Sequence, residues 1–303
     1  MDLLRVLDLH QNELSDPEER WETPGVEADL RTYASLRRAA YPLLPAKFEG
    51  NLPDRAVADL EEAVGTLRPG DVVMVPRTPR PIPGGDWAVT PTSVLGIGAD
   101  AVALWVDEPA TCVVTSIPFR DVAAVLDLTV LLYGRLEIVG PQRSIVLRYN
   151  TVGRDEMRAM TLAVRRGFAA IAGTQVAGGP VPEDLPHKWM AVLKSREAQP
   201  RGREPRLVIA GDTQEREETV RNGVATLTTS ELLIAVEPEV PGGVGMYGVD
   251  LVAVPRTRLA SVEPGDRELI VDVAMAGGTV RLRVPAHPAL ASALAAAVRG
   301  AGR

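Results

Sequence analysis

What most constrains this chain is that one order of elements occurs in it twice: short β-rich runs separated by turn residues, closed each time by a single amphipathic helix. The first series reads VVMV at 72–75, WAVTPTSVLGIG at 87–98, VALWV at 102–106, CVVTSI at 112–117, LEIV at 136–139 and SIVLRY at 144–149. In the last run Ile145, Leu147 and Tyr149 face one way and Val146 and Arg148 the other, the alternation of a sheet with one wet face. The closing helix follows in RDEMRAMTLAVRRGFAAIA, where Met157, Met160, Val164, Phe168 and Ile171 recur at helical spacing. Gly153 is its expected N-cap, with Glu156 at N3. The second series reads RLVIA at 206–210, GVATLTTSELLIAVE at 223–237, VDLVAV at 249–254, RELIVDVA at 267–274 and TVRLRV at 279–284. A helix from Pro288 to Arg299, with Leu290, Leu294 and Val298 as its stripe, ends it.

The two series align residue by residue. Val89-Thr90 and Val94-Leu95 match Leu227-Thr228 and Leu232-Leu233 at an offset of 138. Ile117-Pro118, Val122 and Val125 match Val254-Pro255, Leu259 and Val262 at 137, and Ile145-x-Leu147 matches Val280-x-Leu282 at 135. Order, spacing and closing helix agree, so the reading is two copies of one module, 67–173 and 203–303. Residues 174–202 read as a Gly/Pro-rich linker with one short helix around HKWMAVLKSRE, in which Trp189 and Met190 dock locally. Residues 1–66 read as helical. Ser15 or Asp16 caps a first helix, a second covers 27–41 with Arg37 at the edge of its stripe, and a third covers 54–66 with Val57, Leu60 and Val64 on one side. Three short helices make little core alone and are expected to pack on the next module.

The fold class is therefore α+β and mainly β: short, evenly spaced strands call for a sandwich or barrel, with a helix over its open end. The second module carries Leu227, Thr228, Leu232 and Leu233, then Val254-Pro255, then Gly277, Gly278, Thr279, Arg281, Leu282, Arg283 and Val284, then the helix 288–299. In this pattern it resembles bacterial pleckstrin-homology-like (PH-like) domains. The first module is more divergent, with Pro91 inside the Thr-containing segment and PQRSIVLRYNTVGRDE in place of the Gly-Gly-Thr strand. The resemblance implies two seven-stranded, strongly bent antiparallel sandwiches or partly open barrels, each capped at one end by its helix and each a binding platform. It also implies a ligand face at the first hairpin loop, where Lys and Arg hold phosphorylated headgroups. That loop is RTPRPIPGGD in the first module, giving Arg77 and Arg80, and the mostly acidic GDTQEREETVR in the second.

Charge narrows the partners. Residues 1–66 hold 14 acids against 7 bases, whereas 67–303 hold 26 of each, so the whole net charge of −7 lies in the N-terminal segment. A neutral body with an acidic extension disfavours nucleic acid and anionic lipid, which need a basic face. One cysteine, Cys112, excludes a disulfide framework within the chain, and no apolar run is long enough to span a bilayer. The N-terminus mixes acids into its apolar stretch, unlike a signal peptide, and the expectation is a cytoplasmic protein.

No catalytic constellation assembles. His10, His187 and His287 fall in separate segments without metal-ligand spacing, and Cys112 opens an apolar strand with no basic residue near it. Gly96-Ile97-Gly98 lacks the third glycine of a dinucleotide fingerprint, and PGGVG at 241–245 has no lysine. Glu217-Glu218 and Asp107-Glu108 sit in expected turns, and Arg281 and Arg283 alternate with buried residues as a solvated outer face. The sequence thus points to a non-catalytic scaffold without cofactor or metal, binding another protein or itself through sheet faces, exposed edges or the acidic helical extension. Strand addition to an exposed sheet edge is a specific mode. A peripheral lipid-binding role through Arg77 and Arg80, and an enzyme with a scattered site, are the alternatives.

Overall fold

The computed structural model describes residues 5–8, 44–45, 52–68, 70–76, 78–81, 87–108, 111–130, 133–150, 154–172, 185, 187–196, 207–210, 223–228, 230–237, 248–286 and 288–301. About half of the described residues lie in strands. Its organising element is a seven-stranded antiparallel sheet that draws on both halves of the chain. In spatial order the strands are β11 (Ser144–Asn150), β10 (Tyr133–Val139), β9 (Ala124–Val130), β15 (Gly248–Pro255), β14 (Glu231–Val236), β13 (Gly223–Leu227) and β12 (Leu207–Ala210). The seam is β9 against β15, running from Val130 opposite Gly248 to Val125 opposite Ala253. Thr129 Oγ1 donates across it to the Val249 carbonyl at 2.9 Å.

Alternation along these strands feeds two separate cores. On one face Val125, Leu136, Ile138, Ile145, Leu147 and Tyr149 of the first half join Val224, Leu233, Ala235, Leu251 and Ala253 of the second. On the other face Leu126, Leu128 and Val139 join Ala225, Leu232, Ile234, Val236, Val252 and Val254. Antiparallel sheets commonly keep one face wet. Here both are dry over the centre, which is why Glu231–Val236 is buried without interruption.

Outer layers close each core. A five-stranded sheet in the order β2 (Leu44–Pro45), β3 (Val72–Val75), β6 (Ser93–Ile97), β7 (Ala101–Asp107), β8 (Cys112–Pro118) covers the first. Its far side is capped in turn by helix α1 (Asp54–Val64), whose Ala56, Leu60 and Val64 meet Val72, Met74, Val94, Ala103 and Trp105. Trp105 Nε1 donates to Asp59 at 3.0 Å, so the indole buries its ring and still satisfies its donor. The second core is covered by a sheet in the order β1 (Arg5–Asp8), β18 (Gly278–Pro285), β17 (Glu268–Met275), β16 (Leu259–Pro264), with β1 parallel to β18. A small ladder pairs β4 (Thr78–Pro81) with β5 (Trp87–Thr90).

Three helices follow the strands. Helix α2 (Arg154–Ile171) turns Met157, Met160, Val164 and Phe168 into the first core, and Gly167 lets it rest on Phe119, whose ring lies 2.5 Å from where a Cβ would stand. Helix α3 (His187–Arg196) adds Trp189 and Leu193 to that same core. Helix α4 (Pro288–Ala301) gives Leu290, Ala291, Leu294 and Ala295 to the second. A buried ion pair crosses from one half to the other: Arg165 of α2 reaches Glu231 of β14 through Nε at 3.0 Å and Nη2 at 2.5 Å. Arg258 Nη1 also crosses, donating to the Val122 carbonyl at 2.7 Å.

Several expectations are met and several are corrected. The α+β, mainly β class holds, but among the described strands no sheet closes into a barrel. Within the N-terminal segment expected to be helical, Arg5–Asp8 and Leu44–Pro45 are strands, while Asp54–Val64 is the expected helix. The helices expected near 15 and over 27–41, and Gly153, lie outside the described residues. GVATLTTSELLIAVE is a hairpin rather than one strand, because Thr228 Oγ1 accepts the N–H groups of Ser230 and Glu231 and folds the chain back. WAVTPTSVLGIG breaks at Pro91, which has no N–H for a ladder. The hairpin pairing does not follow the offset of 138: Ile97 faces Val102 as Leu227 faces Leu232, which sets Leu227 with Ile97 and Leu232 with Val102, not with Val89 and Val94. The helix of the presumed linker is embedded in the first core through Trp189, and Ile171 is 53% exposed rather than part of the α2 stripe.

Candidate functional site

The residues first considered for chemistry do not converge. Arg77, His10, His287, Glu217, Glu218 and the 241–245 loop lie outside the described residues, and Arg80 is placed only as backbone on β4. His187 is exposed at the start of α3. Cys112 is half-buried at the start of β8, with its Sγ 3.9 Å from Asp107 Oδ1, and Asp107 and Glu108 are exposed at the end of β7. Gly98 has a packing role: a Cβ there would stand 1.9 Å from the Val64 carbonyl oxygen, so glycine lets α1 end against β6. Among the described residues no group of three His, Cys, Asp or Glu side chains could hold a metal ion. No described helix is long and apolar enough to cross a membrane.

Buried charge is present, and it is met by protein groups. Besides Arg165 and Glu231, Asp127 accepts the Tyr149 hydroxyl at 2.7 Å, and Arg135 meets Glu137 at 2.8 Å. Sequence reading missed all three pairs. The signal for Arg165 was available: it follows Met157 and Thr161 at four-residue steps and so shares their buried side of α2. On the outer side of the β17–β18 ladder Arg281 forks onto Asp272 at 2.8 and 3.0 Å, and Arg283 meets Glu268 at 3.0 Å. The hydrogen bonds from Arg281 hold the Asp272 carboxyl below its ordinary range, against the upward push of partial burial. Both arginines are thus engaged as an ion-paired outer face.

What the fold leaves open is a strand edge. β8 ends the five-stranded sheet, and among the described strands none pairs with its outer side. Its register with β7 is unbroken, from Ala101 opposite Pro118 to Asp107 opposite Cys112. The Phe119 N–H bonds the Asp100 carbonyl and the Asp107 N–H bonds Thr92 on the other side of β7. By alternation the backbone groups of Val113, Thr115 and Ile117 turn toward β7, and those of Cys112, Val114 and Ser116 turn outward. Val113 and Val114 are 37% and 36% exposed, on opposite faces of the strand.

The other edges with described side chains are protected. β16 carries a register irregularity between Leu259 and Ser261, then Glu263 and Pro264, and β11 carries exposed Arg148. Charges, bulges and proline are the usual devices that prevent strands from adding to an edge. CVVTSI at 112–117 has none of them. No family model matches the chain, and no curated protein matches its sequence.

Proposed function

We propose that this chain is a non-catalytic protein-binding scaffold in which two PH-like units, fused through the shared sheet, present β8 as a rigid edge to an extended strand of a partner. The open, uncharged, regularly paired edge at Cys112–Pro118 is the observation that carries this reading. The repeated order of strand pairing and closing helix supports the PH-like units. Strand addition supplies affinity through backbone hydrogen bonds and specificity through alternate side chains. The shared sheet and the ion pair across it support the rigidity that keeps the ordering cost of binding low.

Val114→Pro removes an outward N–H and blocks a neighbouring strand, while leaving the bonds to β7 in place. Immobilised wild-type chain in native extract is expected to retain a partner, another protein or a differently tagged copy of itself, that Val114→Pro loses and Arg281→Glu keeps. Retention unchanged by Val114→Pro, or no retention at all by the wild type, contradicts the reading.

A further inference from the structure

We infer that the strand received by β8 is β8 of a second copy, so that two chains join their five-stranded sheets across a two-fold axis at Val114. This rests on the strand-addition reading and names its partner. A strand can pair antiparallel with its own copy only in registers that repeat under the two-fold. One of them sets Val114 opposite Val114, Cys112 opposite Ser116 and Val113 opposite Thr115. In it the outward N–H and C=O groups of Cys112, Val114 and Ser116 all find counterparts. The Cys112 carbonyl, which takes the Thr111 hydroxyl at 3.4 Å, uses its second lone pair. The neighbouring register, Val114 opposite Ser116, brings Pro118 opposite Cys112, and proline has no N–H to give.

Side chains agree with this choice. Self-pairing sets like residues against like, so a charged edge repels its own copy, whereas 112–117 carries no charge. Val113 and Val114, the two exposed valines of the strand, both gain partners: Val114 its own copy, and Val113 the β-branched Thr115. The interface is isologous and closes at two chains, so the edge is consumed instead of propagating.

Sedimentation equilibrium on the purified full chain tests this directly. The wild type is expected as a two-chain particle and Val114→Lys, which opposes two ammonium groups on the axis, as a single chain with unchanged circular dichroism. Ser116→Cys adds a readout independent of folding effects. Its thiol and Cys112 of the same strand are about 13 Å apart, too far for a disulfide, but they face each other between copies. Mild oxidation by copper–phenanthroline, which takes the two electrons as two thiols lose their protons, is then expected to give a covalently linked pair of chains. A wild type that stays single at every concentration overturns the self-pairing, while partner retention sensitive to Val114→Pro would still uphold strand addition. A two-chain particle indifferent to Val114→Lys overturns it as well, and retention also indifferent to Val114→Pro removes both readings.

Discussion

Arg165→Ala is expected to lower the unfolding free energy by about 3–5 kcal/mol, because it leaves the Glu231 carboxylate buried in the first core without its guanidinium. Both side chains are almost fully buried, and the fork between them spans the two halves of the chain. A single domain has only about 5–15 kcal/mol in hand, so the loss is a large part of its stability. The paired change Arg165→Met with Glu231→Leu removes both charges and keeps apolar volume, and is expected to recover most of the loss or exceed the wild type. Denaturant titrations of the wild type, the single variant and the double variant measure this. A single variant within about 0.5 kcal/mol of the wild type, as for an ordinary surface change, would show that the pair is not buried as described.

Leu126→Ala is the second large effect, expected at about 2–5 kcal/mol for a buried leucine truncated to alanine. Its location makes it informative. Leu126 belongs to β9 in the first half of the chain, yet its side chain lies in the second core with Val252, Ile234 and Leu282. The cavity should therefore loosen β17 and β18, whose Leu269, Val271 and Leu282 share that core. Amide exchange in those strands is expected to accelerate as much as in β9 itself. Acceleration confined to the first half would mean that the halves hold separate cores.

The parts of this fold that were legible in the sequence are those with one wet face. β11 shows its alternation openly, since Ile145, Leu147 and Tyr149 are buried while Arg148 is exposed. The amphipathic stripes of α2 and α4 are equally plain. The hairpin at Gly223–Val236 was not, because strands dry on both faces lose the period-two signal, and a hydroxyl turn at Thr228 leaves no Gly or Pro mark. β9 was hidden by Asp127, whose charge interrupts the apolar run although Tyr149 satisfies it in the core. The seam itself joins residues 120 positions apart and has no local signature. Of the candidate edge, the uncharged run CVVTSI was visible, but that β8 ends its sheet is a property of topology.

Native-state amide exchange along β9 tests the shared sheet most directly. In an antiparallel strand successive N–H groups point to opposite neighbours. With β10 on one side and β15 on the other, every amide from Val125 to Thr129 is bonded and should exchange only on global unfolding. If the two halves were separate sandwiches, β9 would be an edge, and every second amide would exchange fast.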